Sequence, residues 1–271
     1  MKKVLLHPRN LRSDLIDCLY LVHHFNLEHE DCQAHILLSE KCDDFEILHL
    51  SPFECEIHHY QEQDLKTLPL AHKYAYNLHD VFNIDYYFDF HDSVVSAFLG
   101  TCFRAKEKIG YRTTLRKVFL TRPMVKNDSQ NILSDFFNAL DVDFRLEKKD
   151  VTNPFLKPHS LLLWLKNKES LSFVLKYEEE LFHHFEEIHV FFDEGNSFEG
   201  DFSNFRIKLI EDADVLRSKI DSFGGLAFDD LRDFKLFDYL GKELFHFDLS
   251  GEKTVIGRVG SLKEYIGVGD E

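Results

Sequence analysis

Strand-like and helix-like segments alternate along this chain in two runs, and an irregular stretch separates the runs. In the first run KKVLLH (2–7) has the pattern of a short buried strand, and SDLIDCLYLVHHF (13–25) has apolar residues at helical spacing. Four more strand-like segments follow, with helical segments around them: AHILLS, FEILHL, CEIHHY and DYYFDF. Alternation of this kind predicts an α/β fold with a mainly parallel sheet and helices on its faces.

The irregular stretch is TNPFLKPHS (152–160), which holds two prolines and no periodicity and therefore predicts an interdomain linker. The alternation restarts after it with LLLWL, KESLSFVLKYEEELFHHF, EIHVFFDEG, GGLAFDD and ELFHFDLSG. We therefore predict two α/β domains, an N-terminal one over residues 1–153 and a C-terminal one over residues 154–271. Ligands of such sheets bind at the carboxyl ends of the strands.

The net charge of the chain is −16, although the protein also contains one strongly basic stretch. The acidic balance argues against nucleic acid as a partner, because affinity for a phosphate backbone depends on lysine and arginine. Between Arg104 and Lys126 there are eight basic residues and one acid, Glu107. This stretch predicts a local anionic partner, with a solvated surface as the alternative.

The sequence predicts neither membrane insertion nor secretion. The longest apolar runs, such as LLLWL at 161–165, are too short to span a bilayer. No small-residue cleavage site follows the N-terminal MKKVLLHPRN, which indicates a first strand and not a signal peptide. We therefore expect a cytoplasmic protein, and the five cysteines, an odd number without a CxxC pair, fit reduced thiols.

The sequence contains several sets of metal-ligand residue types, but none predicts a metal site. The histidine pairs, such as His58-His59, are sequence neighbours that face different ways on a strand or helix. The residues His29, Cys32 and His35 have tolerable spacing but lack a fourth ligand. Acidic pairs such as Asp89 and Asp92 are more simply explained as caps or turns. A Walker loop, GxGxxG and GxSxG are all absent, so the sequence does not support a P-loop ATPase, a dinucleotide-dependent oxidoreductase or a serine hydrolase.

The order of segments over residues 1–256 resembles that of a known family. A first strand leads to Ser13-Asp14 at the head of the first helix, where the family has Gly-Asp, and DFHDSVVSAFLGTCFRAKEKIGYR ends in the turn Ile109-Gly110-Tyr111. In the second half a strand, a lysine-rich turn and a helix are followed by Asp230, by a helix ending in Leu240-Gly241, and by Ser250-Gly251. This order resembles the heptosyltransferases, glycosyltransferases of lipopolysaccharide synthesis.

The resemblance implies the GT-B fold, in which two Rossmann-like domains with parallel sheets face a central cleft. It implies inverting, metal-independent transfer of a hexose or heptose, without a cofactor, from a nucleotide-diphosphate sugar to an anionic saccharide or glycolipid, at or near the cytoplasmic face of the inner membrane. Asp14 would be the general base, with a plain helix cap as the alternative. The donor-binding residues would be Lys166, Lys168, Asp230, Arg232 and Lys235. The acceptor-binding residues would be Ser13, Arg104, Lys106, Lys108 and Arg112.

The donor turn departs from the family pattern. Leu231 and Arg232 stand where the family has a hydroxyl residue and a glycine, and Lys235 stands where it has histidine. Arg232 and Lys235 could bind phosphate by charge-assisted hydrogen bonds, whereas the neighbouring aspartates repel the same anion. Two alternatives therefore stay open: a catalytically inactive GT-B scaffold or binding protein, and a metal-dependent nucleotide-binding enzyme that uses Asp89 and Asp92.

Overall fold

The protein consists of two compact units, Met1–Glu147 and Lys148–Glu271, and each is described by itself. The structure is a computed structural model. It describes residues 2–29, 31–42, 47–48, 51, 53–79, 81–126, 132–142, 157–166, 168–192, 206–210, 213–229, 236, 239–240, 243–246 and 260–261. The predicted domain boundary at residues 153–154 lies outside this part of the chain and stays a prediction.

The first unit alternates strands and helices as the sequence predicts, except that residues 47–48 of the predicted strand FEILHL lie in a 3-10 turn. Its strands are β1 (Lys2–His7), β2 (Cys32–Ser39), β3 (Cys55–Tyr60), β4 (Tyr86–Asp89), β5 (Glu107–Tyr111) and β6 (Arg122–Met124). Its helices are α1 (Arg12–Glu28), α2 (Leu68–Asn77), α3 (Val94–Cys102) and α4 (Ile132–Ala139), and short 3-10 turns cover Glu62–Leu65 and Arg116–Val118.

All neighbouring strands of the first sheet are parallel, in the order β3-β2-β1-β4-β5-β6. Apolar residues of β1, β2 and β4 pack against α2 and α3 in one buried cluster that includes Leu5, Leu37 and Leu99. Because the chain winds in opposite directions from β1 to β2 and from β1 to β4, the strand order reverses between β1 and β4. This reversal creates a crevice at the carboxyl ends of β1 and β4, which is where such sheets bind ligands.

The second unit repeats the architecture. Its strands are β7 (Lys157–Leu165), β8 (Glu187–Phe192), β9 (Lys208–Ile210), β10 (Phe223–Phe228), β11 (Glu243–His246) and β12 (Gly260–Ser261). Its helices are α5 (Lys168–Lys176), α6 (Glu178–His184) and α7 (Ala213–Lys219). The sheet is again parallel, in the order β12-β11-β10-β7-β8-β9. The corresponding crevice lies between β7 and β10, and the prediction of two parallel-sheet α/β units is confirmed.

The predicted linker TNPFLKPHS is partly wrong, because residues 157–160 begin β7. Pro158 has no N–H for the ladder, and the register between β7 and β10 shifts between Phe223 and Gly225. The hydroxyl of Ser160 bridges this irregularity: its Oγ accepts a hydrogen bond from the N–H of Gly224 at 3.2 Å. The remainder of the stretch, residues 152–156, lies outside the described residues.

The predicted helix over 168–185 is divided into α5 and α6 at Tyr177, whose backbone is not helical. The ring of Tyr177 packs on Phe173, with 4.4 Å between ring centroids. The first residue of α6, Glu178, accepts a hydrogen bond from the N–H of Ile207 at 3.2 Å, just before β9. The hydrogen bond between Glu178 and Ile207 joins segments that are distant in the sequence, so the helical period does not reveal it.

Among the described residues, none of the helices combines the length and the apolar character needed to cross a lipid bilayer.

Candidate functional site

Polar residues lie at the carboxyl ends of the two central strands of the first unit. His7 is the last residue of β1 and Asp89 is the last residue of β4, and the two are direct partners in the parallel ladder. Both side chains are completely buried. A buried histidine beside a buried carboxylate at the ligand-binding edge of the sheet is a stronger functional signal than the same residues elsewhere.

Asp89 forms an ion pair with Arg116 inside the protein. The Nη2 of Arg116 donates to Oδ2 of Asp89 at 2.5 Å, its Nη1 donates to the carbonyl of Tyr111, and the side chain is fully buried. Burial has the largest effect on the Asp89 pKa and raises it to about 6, while Arg116 acts in the opposite direction. Asp89 is therefore ionised at neutral pH. Gly110 lies beneath the pair, since a Cβ there would be 3.0 Å from the Asp89 carbonyl.

A chain of hydrogen bonds determines the protonation of His7. The hydroxyl of Tyr87 donates to the Ser96 carbonyl at 2.8 Å, so it must accept from His7 Nδ1, which is 2.9 Å away. The proton of the neutral ring is therefore on Nδ1, and Nε2 carries a lone pair. Within the described chain this buried Nε2 has no hydrogen-bond partner. Burial, His91 and Arg116 all lower the pKa of His7 well below its ordinary value.

His91 lies beside His7, with 4.2 Å between the ring centroids. Its Nε2 donates to the carbonyl of Pro8 at 2.9 Å, because only an N–H can bond to a carbonyl oxygen. The other nitrogen, Nδ1, is then the proton acceptor. Burial lowers the pKa of His91 below its ordinary value, so the ring is a neutral base at pH 7. Two neutral imidazoles are therefore adjacent at the end of β1.

Asp14 lies in the first turn of α1, and its carboxylate is held by Arg9. Three hydrogen bonds join them: the backbone N–H of Arg9 at 3.1 Å, Nε at 2.8 Å and Nη2 at 2.9 Å. The Asp14 side chain is 1% exposed, whereas that of Arg9 is 38% exposed. The residue preceding the helix is Leu11, which makes no side-chain cap, so Asp14 is not the cap of α1. Ser13 is exposed beside it.

The structure separates the predicted acceptor-binding residues of the basic stretch. Arg104 and Lys106 lie before β5 and Lys108 near its start, whereas Arg112 follows its carboxyl end. Lys106 and Arg112 are six positions apart, which corresponds to about 20 Å along a strand. Lys106 pairs with Asp85 at 2.7 Å, at the amino end of the sheet.

Arg104 also lines a pocket of about 530 Å³ between α2 and α3, together with Phe82 and Phe98. This pocket lies among helices and not at the strand ends. Only Arg112, of the four basic residues, is on the same edge of the sheet as Asp14 and Asp89.

The crevice of the second unit also contains a carboxylate at a strand end. Asp229 follows β10 directly, and its carboxylate accepts the backbone N–H of Lys166 at 2.9 Å and the hydroxyl of Ser170 at 2.8 Å. Lys166 follows β7, and Ser170 is on the first turn of α5. Asp229 therefore joins the two central strands to the helix that begins beside them.

Of the other predicted donor-binding residues, Lys168 lies within the part of the chain that the structure describes. Lys168 begins α5, on the same edge of the sheet as Asp229. Asp230, Arg232 and Lys235 lie outside the described residues.

Sequence reasoning did not identify Arg116, His7 or His91. The signal for Arg116 was its place in the basic stretch, but only the β4–β5 pairing reveals that it is buried against Asp89. For the histidines the signal was their position: His7 ends the predicted strand KKVLLH, and His91 directly follows the predicted strand DYYFDF. Together these groups provide neutral bases, a held carboxylate and a buried ion pair at one edge of the sheet.

The fold is that of known glycosyltransferases, although no protein-family model and no curated protein matches the sequence. The structure of E. coli ADP-heptose lipopolysaccharide heptosyltransferase II aligns with a TM-score of 0.60 and 11% identity, covering 91% of this chain and 84% of that one. E. coli heptosyltransferase WaaC with ADP-2-deoxy-2-fluoro heptose aligns at 0.58 and 12%, covering 96% and 92%. A family 9 glycosyltransferase from Veillonella parvula aligns at 0.59 and 10%, covering 91% and 80%. The chain has the GT-B fold, as the resemblance implied.

Proposed function

We propose that this protein is a heptosyltransferase-like glycosyltransferase that moves a sugar from a nucleotide-diphosphate donor to a saccharide acceptor. The observation that carries the proposal is the whole-chain similarity in fold to transferases described with ADP-heptose or its fluoro analogue. The polar residues at the central crevice of each sheet support it, since a two-substrate transferase needs two binding surfaces.

The proposed reaction is a single displacement. The acceptor hydroxyl attacks the anomeric carbon, the bond from that carbon to the diphosphate oxygen breaks, and the nucleoside diphosphate leaves with the electron pair. A base on the protein takes the proton of the hydroxyl. The configuration at the anomeric carbon inverts because attack and departure occur on opposite faces.

The donor diphosphate would bind at the crevice of the second unit. Lys166 and Lys168 flank the start of α5, where cationic side chains and helix N–H groups offset negative charge. Arg232 and Lys235 would add charge-assisted hydrogen bonds, and Asp230 would orient the donor. These groups would perform the charge neutralisation that a metal ion performs in other transferases, so the reaction would need neither metal nor cofactor.

Asp14 is the proposed base, and Arg9 controls it. Three hydrogen bonds from Arg9 hold the carboxylate and occupy both of its oxygens, which keeps an acceptor hydroxyl from bonding to it. Arg9 is 38% exposed, so its guanidinium can turn to an anionic group of the acceptor and release Asp14. His91, a neutral base at the same strand edge, is the alternative proton acceptor.

The acceptor would be an anionic saccharide or glycolipid that meets the first unit near Ser13 and Arg112. Arg104, Lys106 and Lys108, at the opposite end of the sheet, would contact a more distant part of such an acceptor. An acceptor carried by a lipid would bring the protein to the cytoplasmic face of the inner membrane as a peripheral protein.

A second function is favoured by the same Arg9–Asp14 contact. If the ion pair is permanent, Asp14 is structural and the chain is a GT-B binding protein without turnover. The three aspartates of the turn Asp229–Asp233 support this alternative, because they repel a diphosphate.

The test is the release of nucleoside diphosphate from a nucleotide-diphosphate sugar in the presence of saccharide acceptors. We expect Asp14→Asn to lower turnover by about 10²–10⁴-fold while donor binding is retained. The matched control is Glu28→Gln, which changes an exposed carboxylate about 21 Å away along the same helix and should be fully active. Turnover equal to wild type in Asp14→Asn, with loss in His91→Gln, would assign the base to His91. No turnover with any donor would favour the binding protein.

A further inference from the structure

Three metal-ligand side chains meet on the outer strands of the first sheet, away from the crevice. His35 on β2 is the direct ladder partner of Glu56 on β3, and His58 is two residues beyond Glu56 and therefore on the same face. The Nδ1 of His35 is 3.0 Å from Nε2 of His58 and 3.1 Å from a carboxylate oxygen of Glu56. His58 Nε2 is 3.7 Å from the same oxygen.

These separations fit one divalent transition-metal ion bound by two nitrogens and one oxygen. Ligands about 2.0–2.1 Å from a tetrahedral Zn²⁺ are about 3.3 Å from one another. The three observed separations lie on both sides of this value. All three ligand atoms fall within 4.8 Å of one another, so a cation can reach them without a change in the backbone.

The burial of the three residues also fits a metal site. His35 is fully buried, and its Nδ1 is the atom that faces His58 and Glu56. The Glu56 side chain is 55% exposed, which leaves room for water at a fourth coordination position.

The charges are suited to a divalent cation. Two neutral imidazoles and one carboxylate provide one negative charge at the point where the cation would bind. Lys3, on β1, is the cation that acts on His35 and would weaken binding. The Glu56 carboxylate is closer to the ligand atoms, because it contacts His35 directly.

We propose that His35, Glu56 and His58 bind a divalent transition cation, Zn²⁺ in the first instance. Two imidazole nitrogens and a carboxylate oxygen are among the ligand sets that Zn²⁺ prefers, and they are poor ligands for Mg²⁺. The ion joins the edge strand β3 to its neighbour β2 and stabilises the outer part of the sheet. Without the ion, a single proton shared between the two imidazoles is the competing arrangement.

The experiment is a calorimetric titration of the full chain, without an affinity tag and after chelator treatment, with ZnCl₂. Wild type should bind one Zn²⁺, and Co²⁺ in its place should produce the visible absorption of a tetrahedral complex. His58→Gln and Glu56→Gln should each weaken Zn²⁺ binding by more than about 10-fold, the lower limit for loss of even an outer-shell partner. These two residues are chosen because neither is buried like His35.

The matched control is His59→Gln, which alters the exposed histidine next to His58 on the opposite face of β3. It should bind Zn²⁺ like wild type, and Zn²⁺ should raise the melting temperature of wild type and His59→Gln but not of His58→Gln. The proposal is overturned if wild type takes up no Zn²⁺, or if His58→Gln and His59→Gln bind it equally. The second result would assign the binding to other histidines among the 16 of the chain.

Discussion

Replacing Arg116 by methionine removes the cation from a fully buried ion pair and should destabilise the first unit strongly. Two losses contribute. The Tyr111 carbonyl loses a charged hydrogen-bond donor, which costs about 1.5–3 kcal/mol. Asp89 loses its partner and becomes protonated in the folded state. Because its pKa is already about 6, this adds at most about 1.4 kcal/mol at pH 7, one pKa unit. The sum of about 3–4 kcal/mol agrees with the usual range for breaking a buried pair.

The pH dependence separates this cause from a simple packing defect. Above pH 6 the folded variant holds a proton on Asp89 that the unfolded chain releases, so its stability falls as the pH rises. In the wild type Asp89 is ionised in both states above that pH and contributes no slope. The deficit of Arg116→Met should therefore grow by about 1.4 kcal/mol between pH 7 and pH 8.

The assay is urea unfolding followed by far-ultraviolet circular dichroism at pH 6, 7 and 8. The single tryptophan, Trp164, lies in the second unit and separately reports the unfolding of that unit. The control is Lys41→Met, which removes the cation of an exposed pair with Glu62 and should change stability by about 1 kcal/mol or less. If Arg116→Met lowers the free energy of unfolding by less than about 1 kcal/mol, or by an amount independent of pH, the buried pair with Asp89 does not stabilise the first unit in this way.

Two further predictions concern the stability of the folded protein. Gly100→Ala places a Cβ 2.5 Å from Cδ1 of Tyr87, a buried ring held by hydrogen bonds at its hydroxyl, and should cost about 1–3 kcal/mol in thermal unfolding; an unchanged melting temperature would contradict this. Acid should also destabilise the protein as the pH falls below 6.5, because the unfolded chain protonates histidines that burial keeps neutral in the folded state. The loss is up to about 1.4 kcal/mol per pH unit for each such histidine, opposed below pH 6 by Asp89, and constant stability from pH 7 to 5.5 would count against it. The histidines with lowered pKa are His7, His35, His91 and His189.

The alternation of the two sheets could be predicted because strand and helix periods are local properties of the sequence. β1, β8 and β10 each carry a clear apolar pattern and lie where the sequence places them. β6, β9 and β12 were missed, because strands of two or three residues are too short to display a period.

The sites were only partly predictable, because they depend on pairing between distant segments. Asp14 was identified by its place before a helix, but the Arg9 contact depends on the loop between β1 and α1. For the histidines, the argument that His58 and His59 face opposite sides is right. It does not exclude a metal site, because Nε2 of His58 lies 3.0 Å from Nδ1 of His35 on the neighbouring strand.

Calorimetric titration of the wild-type chain directly measures whether the protein binds a nucleotide-diphosphate sugar, as the proposed function requires. The ligands are ADP- and UDP-linked hexoses and heptoses, with the free nucleoside diphosphates as references. We predict that one donor binds with 1:1 stoichiometry and that its affinity falls as salt is raised, because cationic groups must outweigh the nearby aspartates. Absence of binding by every donor and nucleoside diphosphate, at both low and physiological salt, would contradict the proposed function.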